Sequence, residues 1–183
     1  MSRLASPAQL RASFVRWAAF SVPAVLLLGF ASGRLGGSAG DPWFVALTKP
    51  AMFPPPAAFG IVWPVLYVLM GFALAIVCSA WGARHRRAAI ALFVVQLVVN
   101  LAWSPAFFGL HRISAALAII VVLDVLVIAT VVLFSKVRRM AALMLLPYLA
   151  WILFATVLNW QFLLLNPSAD GAEGPGSVQR IEL

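Results

Sequence analysis

The stretch KPAMFPPPAAFGIVWPVLYVLMG, Lys49 to Gly71, decides how the chain is read. Its three consecutive prolines, Pro54, Pro55 and Pro56, donate no backbone hydrogen bonds and do not belong in a helix interior. They predict an extended, polyproline-like segment. Directly after them Phe59, Trp63, Tyr67 and Met70 recur at i, i+4, i+8 and i+11, one face of a helix. The expectation is a rigid lid leading into an aromatic helix face.

The sequence around this stretch is apolar enough to fix its solvent. Of 183 residues, 64% are hydrophobic and 10% charged, where a soluble domain is nearer half apolar and a quarter charged. The formal charge of +8 comes in small basic groups between apolar runs, the pattern of membrane-protein loops and not of a nucleic-acid surface. The charges mark the spans. Arg16 to Arg34 encloses 17 uncharged residues, Lys49 to Arg84 encloses 34, Arg87 to Arg112 encloses 24, Arg112 to Lys136 encloses 23 with only Asp124 inside, and Arg139 to Asp170 encloses 30. Each meets the roughly 17–25 residues needed to cross a bilayer. The sequence predicts an all-α integral membrane protein, a five-transmembrane-helix bundle.

The division expected is residues 1–16 as an N-terminal segment, 17–166 as the five-helix domain and 167–183 as a flexible tail rich in Gly, Ser and Ala. Ser6-Pro7 reads as an N-cap followed by proline at the first helical position. Leu10, Phe14 and Trp17 then share a face, as in an interfacial helix feeding the first span. These features outweigh a signal-peptide reading with Phe30 to Gly33 as the cleavage site. Loop charge orients the chain. Nine basic residues fall with the N-terminus and the second-to-third and fourth-to-fifth connections, against four on the other side. The positive-inside rule puts the N-terminus in the cytoplasm and the lid and C-terminus outside. Helices of this hydrophobicity and an arginine-rich usage fit a bacterial cytoplasmic membrane.

Ordinary catalytic equipment is scarce. His85 and His111 adjoin arginines in loops, Cys78 has no partner, and no phosphate-cradling glycine motif is present. No metal site is expected. Asp124 sits near the middle of its span, where an ionised aspartate costs roughly 2.5–3.5 kcal/mol on insertion scales and requires a partner. Gln96 or Asn100 on the preceding helix is the expected donor, and a packing role is favoured over a proton or cation site. In the third span Gln96, Asn100, Trp103 and Phe107 form one stripe, and in the fifth Tyr148, Trp151, Ala155, Leu158 or Asn159, and Phe162 form another. Pro147 is placed near the start of that fifth helix. Trp17, Trp43, Trp81 and Trp160 lie near span ends, as expected of interfacial aromatics. Trp63 and Trp151 each share a face with a tyrosine and are expected to line a pocket.

Lys49-Pro50, Pro54-Pro55, Gly60, Trp63 and Leu66-Tyr67 resemble the signature of the tryptophan-rich sensory protein / translocator protein family, also called peripheral-type benzodiazepine receptors. Gln96-Leu97, Asn100, Trp103, Pro105 and Phe107-Phe108-Gly109 extend the match, and so do Pro147 to Trp151, Phe154 to Thr156 and Leu158-Asn159. The resemblance covers about residues 17–166. It implies a five-helix bundle, commonly a homodimer, acting as receptor or sensor for protoporphyrin IX, haem, sterols or benzodiazepine-type ligands. The pocket would be lined by Phe59, Trp63, Tyr67, Asn100, Trp103, Tyr148, Trp151, Ala155 and Leu158, under a lid at Pro54, Pro55 and Pro56. The tetrapyrrole would be a ligand and not an obligatory cofactor. The resemblance also implies one alternative, light-dependent porphyrin breakdown using Trp63 and Trp151; a second alternative is transport, with Asp124, by its depth in the span, as the candidate coupling site. Met52 and Ala57 stand where the family carries lid tryptophans, so an aromatic-poor lid is expected. Trp160 and Gln161 follow Asn159 where a sterol motif needs a tyrosine and then a basic residue, which disfavours sterol. Gly29 and Gly33 offer a close-packing site.

Overall fold

The computed structural model describes residues 6–37 and 39–171. Five helices long and apolar enough to cross a membrane account for nearly all of it. They are α1 (Pro7–Leu35), α3 (Pro56–Ser79), α4 (Arg86–Ser104), α5 (Ile113–Val137) and α6 (Arg139–Leu165), with a five-residue helix α2 (Pro42–Ala46) between the first two spans. In a bilayer core each backbone polar group must be satisfied within its own segment, which is why these apolar runs are helical throughout. The packed pairs run α1–α3, α3–α6, α6–α5 and α5–α4, and a thinner contact from α4 to α1 closes the ring. Outward-facing Leu27, Val98, Val125 and Leu164 are exposed. They form the apolar surface that lipid covers.

Helix ends follow local chemistry. Ser6 caps α1, its Oγ accepting from the Gln9 amide at 3.3 Å while the Gln9 side chain reaches back to the Ser6 amide at 2.8 Å. The helix then runs unbroken into the first span, so residues from Pro7 on form no separate interfacial element; residues 1–5 lie outside the described residues. Pro54–Pro56 meet the expectation of a polyproline-like segment only in part: Pro55 is extended, at φ −54° and ψ 142°, but the run ends in a helix. Pro56 is the first residue of α3 and Pro55 its N-cap, a position where the missing N–H costs nothing. Pro147 is not near a helix start either, because α6 begins at Arg139 and carries Pro147 in its interior. Past Ser104, α4 widens into a π-helical turn, Pro105–Gly109. At the far end of α3 the Arg86 guanidinium donates to the Cys78 carbonyl through Nε at 3.0 Å and Nη2 at 2.8 Å, and lies over the Trp81 ring at 4.1 Å. The cation thereby closes the C-terminal carbonyls of that helix.

Glycine and serine set the α1–α3 crossing. A Cβ at Gly29 would lie 2.2 Å from the Tyr67 ring, and one at Gly71 would lie 2.6 Å from the Val22 backbone. Ser21 Oγ bridges the same seam to the Gly71 carbonyl at 2.8 Å. Gly29 is therefore consumed inside the chain, whereas Gly33 faces open space. Because Val22 presents backbone, which cannot swing aside, Gly71→Ala overpacks the seam. We expect a cost of about 1–3 kcal/mol, read as a fall in the thermal midpoint of the purified protein, while Gly33→Ala, helical and with open space at its Cβ, leaves the midpoint unchanged or raises it.

Candidate functional site

The aromatic face of α3 looks into a cavity of about 520 Å³ in the upper half of the bundle. Phe59, Trp63 and Tyr67 line it from α3, Asn100 and Trp103 from α4, and Trp151, Ala155 and Leu158 from α6. The fourth member of the α3 face, Met70, lies below in the fully buried core. Trp63 stacks on Tyr67 with ring centroids 5.3 Å apart and planes at 28°, and Phe59 meets Trp151 edge-on at 5.6 Å. Exposed lining residues Phe30, Gly33, Arg34, Pro56 and Gly60 belong to α1 and to the start of α3. The cavity opens between those two helices.

Polar side chains at this depth pair across helices. Tyr67 Oη donates to Asn100 Oδ1 at 3.1 Å, joining α3 to α4. Trp103 Nε1 donates to Asn159 Oδ1 at 3.0 Å, and the Asn159 amide donates to the Ile113 carbonyl at 3.0 Å, joining α4, α6 and α5. The sequence placed Gln96 or Asn100 beside Asp124; the structure places Thr156 there. Thr156 Oγ1 lies 2.8 Å from Asp124 Oδ2 across the α5–α6 seam. Gln96 is occupied instead by Tyr148, whose hydroxyl donates to Gln96 Oε1 at 3.1 Å. This explains the one expected lining residue that the cavity lacks. Tyr148 is fully buried beneath the floor and does not line the cavity.

The roof is α2 and the loop after it. Asp41 caps α2, accepting from the Trp43 amide at 2.8 Å. Lys49 donates to the Phe44 and Leu47 carbonyls and lies over the Phe44 ring at 4.0 Å. Its partial burial lowers the ammonium pKa from its usual value; the carbonyls and the ring face pull the other way. Phe44 and Phe53 turn into the cavity and rest on Phe162 at 5.6 and 5.5 Å. Trp43 is 5% exposed, stacked on His111 at 4.4 Å, so it is a roof residue and not an interfacial one. Trp81 and Trp160 are exposed, as interfacial residues are.

The lid lacks rings at the two positions singled out in the sequence but carries them elsewhere. Met52 and Ala57 point outward, but Trp43, Phe44 and Phe53 supply the rings. Of the three prolines only Pro56 touches the cavity. Sequence periodicity missed Phe44, Phe53 and Arg34 because none of them sits on a spanning stripe. The Asp-Pro pair at Asp41-Pro42 was the available signal that a helix starts there.

Compared with known proteins, residues 21–165 match the model of the TspO/MBR family. The chain is 37% identical to the tryptophan-rich protein TspO of Chlorobaculum tepidum over 143 residues, 78% of this chain and 90% of that protein. It is 41% identical to the tryptophan-rich protein TspO of Archaeoglobus fulgidus over 148 residues, covering 80% and 94%. Human translocator protein is 35% identical over 133 residues, covering 72% and 79%. With five membrane-length helices and a family match over most of its length, this chain is an integral membrane protein of the TspO/MBR family.

Proposed function

We propose that the cavity receives a flat, largely apolar tetrapyrrole such as protoporphyrin IX or haem, and that the protein is a membrane receptor and sensor for it. The observation that carries this reading is the lining: aromatic rings from α3, α4, α6 and the roof surround one space of about 520 Å³. That volume lies within the roughly 300–1,000 Å³ of small-molecule pockets. Conjugated macrocycles stack on such rings. The mouth adds a charge. Arg34 lines the cavity edge, its guanidinium 4.8 Å from the Phe30 ring centre, and no carboxylate among the described residues pairs with it. A propionate of the guest would meet it there.

On this reading Trp63 and Trp151 are binding residues first. Asp124 meets Thr156 through Oδ2, its Oδ1 buried without a partner among the described residues, and lies outside the cavity lining; on this reading it is a packing residue. Loop charge continues to favour a cytoplasmic N-terminus in a bacterial cytoplasmic membrane, with the roof on the opposite side. In a homodimer the partner would pack on the lipid-facing surface, since Gly29 is used within the chain.

Titration with protoporphyrin IX in the dark should quench tryptophan fluorescence to saturation at one site per chain. The Trp63→Phe, Trp151→Phe double variant should bind about threefold to tenfold more weakly, the scale of an aromatic contact worth about 0.5–1.5 kcal/mol. Unchanged affinity would place the ligand elsewhere. Arg34→Gln should weaken protoporphyrin IX about fivefold, near the upper end for an exposed ion pair. The same substitution should leave the porphyrin dimethyl ester unaffected; equal loss for both would remove the carboxylate role.

A further inference from the structure

The segment that follows α6 is fastened to the roof, although its composition predicts a loose tail. Asn166, 9% exposed, aligns its side-chain amide with the backbone of Thr48. Its Oδ1 accepts from the Thr48 amide at 2.7 Å, and its Nδ2 donates to the Thr48 carbonyl at 3.0 Å and to the Phe162 carbonyl at 3.0 Å. Three residues on, the Ala169 carbonyl accepts from Trp43 Nε1 at 3.2 Å. The Gly171 amide donates to the His111 carbonyl at 2.8 Å, and Asp170 Oδ1 accepts from the Ser114 amide at 3.0 Å. Burial alone raises the Asp170 carboxyl, but the Ser114 hydrogen bonds and the nearby Arg112 charge outweigh it and hold the group below its usual value. One short segment thus joins the roof to the α4–α5 connection. Residues 172–183 lie outside the described residues.

These bonds matter because they set the position of a roof otherwise held by apolar burial, with Trp43, Phe44 and Leu47 packed among Phe107, Ile113 and Phe162. A five-residue helix has no stability of its own in water. For residues 41–53, every hydrogen bond to another part of the described chain ends on residues 166–171. The remaining ties are ring contacts, Lys49 over Phe162 at 5.9 Å, and the 3.6 Å approach of Asp41 Oδ1 to His111 Nε2. Apolar burial is non-directional and tolerates a small slide of the roof; the paired amide of Asn166 does not.

We propose that residues 166–171 are the latch of the cavity roof, with Asn166 as its positioning residue. The segment after α6 then sets how readily the roof gives way as a guest passes the mouth between α1 and α3, and so how fast it enters and leaves. The exchange of guests rests on the binding function proposed above; the latch itself does not. Asn166→Ala and Trp43→Phe open it from opposite sides, and neither residue lines the cavity. Amide hydrogen exchange on the ligand-free, full-length protein should rise about tenfold or more in residues 43–49 in either variant. Exchange in the middle of α5 and α6 should stay as in the parent, which separates a local latch from general destabilisation. Protoporphyrin IX association and dissociation should both accelerate, by about fivefold, so that the dissociation constant moves less than either rate. Parental exchange at residues 43–49 in both variants would overturn the latch. Faster exchange at 43–49 in a protein that binds no porphyrin would support the latch and refute the proposed ligand.

Discussion

A buried amide or phenol inside a bilayer has no water to fall back on, and a helix carrying one has to find its partner on another helix. The bundle is arranged around five such pairings. Tyr67–Asn100, Trp103–Asn159, Asn159–Ile113, Tyr148–Gln96 and Thr156–Asp124 tie together α3, α4, α5 and α6. Lipid tails are as apolar as leucine and provide no hydrophobic drive between helices. The pairings therefore fix register where apolar packing alone would leave it loose. The α1–α3 seam uses the complementary device, close backbone approach at Gly29 and Gly71 with Ser21 as the bridge.

The pairings also shape the cavity. Tyr67 and Asn100 stand in its wall and are hydrogen-bonded to each other. Trp103 is held the same way by Asn159, whereas Trp151 Nε1, also in the wall, is buried without a partner among the described residues. The result is an aromatic chamber whose polar groups are largely committed to one another, with a cation only at the mouth. Such a chamber suits a broad, conjugated guest with an acidic edge.

Much of this was legible in the sequence, and the reasons are physical. Spanning helices announce themselves by length and hydropathy, and the stripes Phe59–Trp63–Tyr67 and Asn100–Trp103 could be placed on one face because helical period is fixed. What sequence could not assign was pairing between helices. Asp124 found Thr156 because α5 packs on α6 along its length, a fact of tertiary arrangement that no spacing within one span contains. The triple proline misled for the opposite reason. Proline is disfavoured in helix interiors, although Pro147 occupies one here, and favoured at helix starts; the second rule won at Pro56. The roof was missed because α2 is too short to carry a periodic signal, and its partners at Asn166 and Ala169 lie more than a hundred residues away.

The central claim is that the guest occupies the chamber between α3, α4 and α6 beneath Phe44 and Phe53. A structure of the protein with protoporphyrin IX bound tests it most directly. The macrocycle is expected against Trp63 and Trp151 with a propionate directed to Arg34. A macrocycle on the lipid-facing surface, with the chamber unchanged from its ligand-free form, would contradict it.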